Sequence, residues 1–132
     1  MKGRLLFQEW ISRADLQDNP DKIYVFGDNV ERYGYGGQAK EMRGEPNAFG
    51  IPTKWAPSMS DDAYFSDRQY NDIVIILDLH FQKLRSHIEN GTSVVFPTNG
   101  IGTGLSQLPQ RAPIVNDFLQ NLVYDLENFA NE

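Results

Sequence analysis

Two glycine-rich turns, each placed directly after a short run of β-branched and aromatic residues, constrain this chain more than any other feature. The first run, Lys22-Ile-Tyr-Val-Phe26, closes at Gly27-Asp28-Asn29 and leads into Gly34-Tyr-Gly-Gly-Gln-Ala39. The second, Ser93-Val-Val-Phe96, leads into Pro97-Thr-Asn-Gly-Ile-Gly-Thr-Gly-Leu105. Short apolar runs bounded by Gly and Pro read as buried strands. Gly100, Gly102 and Gly104 alternate, which leaves a row of backbone N–H groups with no side chain in the way. The two turns together look like two halves of a diphosphate cradle.

The intervening segments read mostly as helices. Leu5, Leu6, Trp10 and Ile11 suggest strand and then helix, and Asn19-Pro20-Asp21 a turn. Gln38–Arg43 fits a short helix between glycines. Ala48–Ile51 is a further candidate strand, expected to stop at Pro52. Trp55–Phe65 has no periodicity and reads as a mobile loop. Ser66 and Gln69 have capping-box spacing, so a long helix is predicted to start there. Tyr70, Ile73, Val74, Leu77, Phe81, Leu84 and Ile88 give it one apolar stripe, and Asn90-Gly91 a stop. A last helix over about 110–129 is predicted to bury Ile114, Val115, Phe118, Leu122, Leu126 and Phe129. Strands alternating with helices indicate α/β, with parallel pairing and a site at the strand C-termini.

At 132 residues one domain over 1–132 is expected, burying about two thirds of its unfolded surface. Cysteine is absent, which excludes disulfides, thiolate metal sites and a cysteine nucleophile, and suits a cytoplasmic protein. No run approaches the ~20 apolar residues of a membrane span, so no membrane partner is expected. A net charge of −6 with scattered Lys and Arg argues against broad contact with nucleic-acid phosphates. It does not exclude a small anionic ligand, because peptide N–H groups bind phosphate without formal charge. His80 and His87, seven positions apart on the long helix, lie about 10.5 Å apart by the helical rise. That is too far to share a metal ion; no metal site and no cofactor are expected.

No G-x-x-x-x-G-K-[ST] exists, which excludes a P-loop, and Gly34-Tyr-Gly-Gly lacks the third glycine of a dinucleotide fingerprint. Gly100–Gly104 taken alone also reads as a structural turn. The pair of loops, in this order and spacing over about residues 22–125, resembles the macro domain, the ADP-ribose-binding fold. Phe49-Gly-Ile-Pro-Thr-Lys54 before the long helix and Gly100-Ile-Gly-Thr-Gly-Leu105 after it are most similar to the branch of the terminal ADP-ribose protein glycohydrolase. Short macro-like proteins of phage and bacteria look similar as well.

The resemblance implies a three-layer α/β macro-like domain with a mixed central sheet and helices on both faces. It implies a small nucleotide of the ADP-ribose type, or an ADP-ribosylated macromolecule, as partner. Asp28 or Asn29 would lie near the adenine or the distal ribose, and Gly36, Gly37 and Gln38 against the distal ribose and inner phosphate. Asn99, Gly100, Ile101, Gly102, Thr103, Gly104 and Leu105 would form the pyrophosphate loop. Lys54 matches the lysine that attacks the anomeric carbon in the glycohydrolase branch. A lysine nucleophile must lose its proton near neutral pH, which burial or a cationic neighbour promotes. A partner acid is also needed, and where that branch has an aspartate after the glycines and leucine this chain has Ser106. Asp28, taken with Lys54 as the catalytic pair, or Glu31, Glu41 or Glu45 would have to substitute. Without such a substitute the chain reads as a non-catalytic reader or sequestering protein; a structural or regulatory partner protein is the remaining alternative. Lys54 also reads as a solvated loop lysine or a phosphate contact.

Tyr33, Tyr35, Trp55 and Tyr64 flank these loops and either stack on a purine or serve packing. Arg43 and Glu45 are candidates for an ion pair with each other. Asp61 and Asp62 read as solvating charges.

Overall fold

The alternation of apolar runs with amphipathic segments produces a four-stranded sheet clothed on both faces. The computed structural model describes residues 1–132. The strands are β1 (Leu5–Gln8), β2 (Ile23–Asn29), β3 (Ala48–Lys54) and β4 (Val94–Pro97). The helices are α1 (Arg13–Asp18), α2 (Ala39–Met42), α3 (Tyr70–Glu89), α4 (Leu108–Arg111) and α5 (Pro113–Asn131), with single 3₁₀ turns at Asp61–Ala63 and Asp67–Gln69. Strand order is β1-β4-β2-β3, and all three strand pairings are parallel. Where the resemblance implies a mixed sheet, this sheet pairs its four strands in parallel throughout. An isolated antiparallel bridge joins Lys54 to Tyr64.

Strand side chains alternate across the sheet, and the two faces bury different partners. Val25, Ile51, Val94 and Phe96 join Ile73, Leu77, Phe81, Leu84 and Ile88 of α3 and Val115, Leu119, Leu126 and Phe129 of α5 in the larger core. Tyr24, Phe26 and Val95 point the other way, onto Ile11 and Leu16 beside and within α1 and Ala39 and Met42 of α2. Three layers result. The adjacent strands β2 and β4 send their following helices to opposite faces, so their carboxyl ends form the crevice where open α/β sheets place ligands.

Several boundaries differ from the sequence reading, each for a local reason. β2 continues through Gly27 to Asn29, and β3 continues through Pro52 to Lys54. β3 is an edge strand, so the missing Pro52 N–H removes no ladder bond on its outer side. The segment expected to be a mobile loop is anchored: Ala63, Tyr64 and Phe65 are buried, and the Trp55 N–H donates to the Ala63 carbonyl at 2.8 Å. The last helix is divided because Ala112, before Pro113, leaves the helical region at φ −146° and ψ 67°, as expected of a residue preceding proline. The break rotates Ile114 outward to 58% exposure, and Leu119 takes the core position instead. The Ser66–Gln69 capping box is present, with the Ser66 N–H on Gln69 Oε1 at 3.2 Å. No helix is long and apolar enough to cross a membrane.

Candidate functional site

The loop after β4 leaves the sheet at Pro97 and is built almost entirely from backbone. Gly100 N–H closes a turn onto the Pro97 carbonyl at 2.9 Å, and the Gly102 carbonyl accepts from Leu108 N–H at 2.8 Å. Gly102 has φ 80°, and a Cβ there would meet Leu108 side-chain atoms at 3.0 and 3.2 Å. Only glycine allows both that conformation and that approach. The N–H groups of Asn99 and of Ile101 through Ser106 donate to no acceptor within the protein. All of these residues line a cavity of about 250 Å³, which Glu9, Trp10, Gly27, Gly36, Gly37 and Gln38 complete.

A second cavity, also of about 250 Å³, lies alongside and shares Gly27, Gly36, Leu105 and Ser106 with the first. Its own wall holds Asp28, Asn29, Tyr33, Tyr35, Arg43 and Lys54. The two loops touch where the cavities meet, since a Cβ on Gly36 would lie 2.5 Å from Leu105 Cδ1. Each cavity lies just below the roughly 300–1,000 Å³ of ordinary ligand sites.

Side chains, in contrast, brace the loop after β2. Asn29 turns back on its own loop, donating from Nδ2 to the Tyr33 carbonyl at 2.8 Å and accepting the Arg32 N–H at Oδ1 at 2.9 Å. Arg43 donates from Nε to the Gly34 carbonyl at 2.7 Å and from both Nη atoms to the Asp28 carboxylate. Arg32 approaches the same carboxylate at 3.7 Å, and the Asn29 N–H donates to it at 2.8 Å. The Asp28 side chain is 2% exposed. Gly50 of the neighbouring strand makes room for it, because a Cβ there would stand 2.4 Å from Asp28 Oδ2. Arg43 therefore pairs with Asp28, and Glu45 with Arg13 at 2.6 Å; the expected Arg43–Glu45 pair does not form.

Lys54 sits beside Asn29 at the strand ends, next to a register shift that leaves Thr53 unpaired. It is 6% exposed. Its Nζ donates to the Ser58 carbonyl at 2.8 Å and lies 4.3 Å from the Tyr64 ring centre. Arg111 stacks on that ring at 3.7 Å. Burial, and secondarily the Arg111 charge, push the Lys54 ammonium below its ordinary value.

The sequence-predicted residues come together at this cleft, with different freedom. Asn99–Leu105, Gly36 and Gly37 line it with main chain. Gln38 lines it too, but its side chain is occupied, clasping Ile11 N–H and carbonyl at 2.9 and 2.8 Å. Tyr33 and Tyr35 reach the second cavity, whereas Tyr64 and Trp55 serve packing: Trp55 meets Phe65 edge-to-face and donates to Gln69 Oε1 at 2.8 Å. Of the substitute acids, Glu31, Glu41 and Glu45 line neither cavity. Asp61 accepts from Arg111 at 3.2 Å. Glu9, Trp10, Arg43, Gly50 and Thr53 were not legible as site residues. Glu9 and Trp10 arrive from the β1–α1 turn, and their position beyond a strand end was the one available signal. No group of His, Asp and Glu is placed to hold a metal ion.

Fold and site define an α/β protein with a bipartite cleft at the carboxyl ends of a parallel sheet. The chain belongs to the Family of unknown function (DUF7831), whose model matches residues 6–122 and so spans both cleft loops. No curated protein and no solved structure matches it.

Proposed function

We propose that the cleft binds a nucleotide of the ADP-ribose type, free or attached to a macromolecule, with the diphosphate on the 99–106 loop. One observation carries this reading: consecutive N–H groups from Ile101 to Ser106, without protein acceptors, line a cavity that shares four wall residues with a second, hydroxyl- and charge-lined one. Ile101 and Gly102 are buried with N–H groups that have no protein partner, where backbone donors are almost always partnered, and a row of successive backbone N–H groups makes an anion site. An acidic chain can thus hold a diphosphate without a basic patch. The test is calorimetric titration with ADP-ribose, NAD and AMP. Gly104→Glu is the blocked control, because a Cβ at Gly104 meets nothing within 4 Å, so the carboxylate enters without disturbing the fold. Binding by the wild type that the variant loses supports the reading; no heat with any of the three removes it.

Binding without turnover is favoured over hydrolysis by the state of the acids. Asp28 is committed to Arg43, and Ser106 stands where the glycohydrolase branch has aspartate. The hydrolase reading keeps one supporting observation, the buried Lys54 with its lowered proton affinity on the second cavity's wall. It predicts a borohydride-trapped adduct of ADP-ribose on Lys54, absent in Lys54→Arg. It also predicts that Ser106→Asp raises release of ADP-ribose from a modified protein.

A further inference from the structure

We infer that Ser106 is a fixed hydrogen-bond acceptor at the junction of the two cavities, and that it selects ligands carrying a sugar hydroxyl there over ligands carrying a phosphate. The inference rests on the nucleotide reading of the cleft and states which nucleotide that cleft prefers.

The direction of one hydroxyl chain carries it. Thr53 is fully buried and unpaired in the β2–β3 ladder, the extra residue at the register shift between Asp28 and Asn29. Shifts of this kind re-aim side chains beside sites. Its Oγ1 contacts the Asp28 backbone carbonyl at 3.2 Å, and a carbonyl can only accept, so Thr53 donates. A hydroxyl has a single proton. The 2.6 Å contact between Thr53 Oγ1 and Ser106 Oγ is therefore donated by Ser106. With its own proton turned toward Thr53, the Ser106 hydroxyl keeps lone pairs and has no proton left to donate, so only the Ser106 backbone N–H remains a donor there.

Ser106 belongs to the walls of both cavities, at the end of the row of backbone donors. Approaching along that row, a ligand meets N–H groups suited to an anion and then an oxygen that only accepts. A phosphoryl oxygen at that point would face lone pair against lone pair. A sugar hydroxyl would donate to Ser106 Oγ. The matching ligand is a diphosphate continued by a hydroxyl-bearing sugar, not one ending in phosphate. Thr53 is the positioning residue and Ser106 the ligand contact.

The experiment is calorimetry of the full chain with ADP-ribose and with ADP, on wild type, Ser106→Ala and Thr53→Val. Wild type is expected to prefer ADP-ribose. Ser106→Ala loses about tenfold for ADP-ribose, the size of one neutral hydrogen bond, and leaves ADP unchanged. Thr53→Val frees the Ser106 proton to turn into the cleft, so ADP gains relative to ADP-ribose while the cavity keeps its shape. An unchanged ADP-ribose to ADP ratio in Ser106→Ala overturns the acceptor role alone. Absence of binding of both ligands by wild type overturns the nucleotide reading and this inference with it, and the wild-type titration separates the two failures.

Discussion

The two loops that close the cleft solve the same placement problem in opposite ways. The 97–107 loop is held by a few backbone turns and leaves the N–H groups of Asn99 and of Ile101 through Ser106 without protein partners. The 29–37 loop is held by side chains from three other places: Arg43 on its Gly34 carbonyl, Asp28 beneath it, and His80 of α3, whose Nε2 lies 2.7 Å from Arg32 Nη2. One loop presents free backbone donors, and on the proposed function its disturbance should cost binding; the other is a braced wall whose disturbance should cost stability first. A side chain on the second cavity's wall is thus not a free chemical group merely because it faces the cleft. Asp28, whose sequence position suggests an acid, already meets two guanidinium groups.

The largest effect should come from that ion-pair hub. Asp28→Ala leaves the Arg43 guanidinium, 15% exposed, against the cleft wall without its partner. Removing one partner of a buried pair costs about 3–5 kcal/mol, and the lower end applies because Arg43 keeps its bond to Gly34. Urea unfolding should show a loss of about 3 kcal/mol. Gly50→Ala, by crowding the same carboxylate, should be destabilising in the same direction. Wild-type stability in Asp28→Ala would break the comparison and return Asp28 to the list of free acids.

Gly104→Glu probes the other loop. An exposed backbone position with no neighbour near its Cβ should tolerate the change within ~0.5 kcal/mol of stability. A carboxylate set against a bound diphosphate costs several kcal/mol, so ADP-ribose affinity should fall at least about a hundredfold. Equal losses of stability and binding would mean that this loop, too, is braced.

What the sequence made legible follows the same division. The backbone loop was readable because glycine spacing states its own geometry: Gly100, Gly102 and Gly104 expose main chain wherever they are placed. The layered α/β fold was readable because α3 and the strands carry clean periodicities. The bracing of the 29–37 loop was not, because it depends on Arg43 and His80 arriving from other elements. Arg32 meets His80 across 48 positions, and Arg43 meets Asp28 across 15; neighbouring charges such as Arg43 and Glu45 suggested a local pair that tertiary placement overrode. The α4–α5 break was written in Ala112-Pro113, but an apolar stripe crossing that point reads as one helix until Ala112 is seen outside the helical region.

The smallest effect concerns the His80 brace and has a defined sign. His80 Nδ1 lies 2.8 Å from the Ile76 carbonyl and so donates, leaving Nε2 to accept from Arg32; the ring is neutral in this arrangement. Burial, together with Arg32 and Lys83, lowers its proton affinity below the ordinary 6.5, while the Ile76 carbonyl and Asp28 oppose the shift. A depressed folded-state value means that the unfolded chain binds the proton first. The stabilising contribution is therefore complete above pH 6.5 and declines as pH falls toward the folded value, with a slope of at most ~1.4 kcal/mol per pH unit for one proton. Protonation also sets two cations against each other at 2.7 Å and releases Arg32. Hydrogen exchange over 30–36 should then quicken as pH falls below 6.5, after correction for the intrinsic rate, while exchange over 99–106 stays flat. His80→Phe, which keeps a ring against Phe49, should abolish the pH dependence at 30–36. Equal acceleration in both loops would show that the brace is global packing and not a property of one wall.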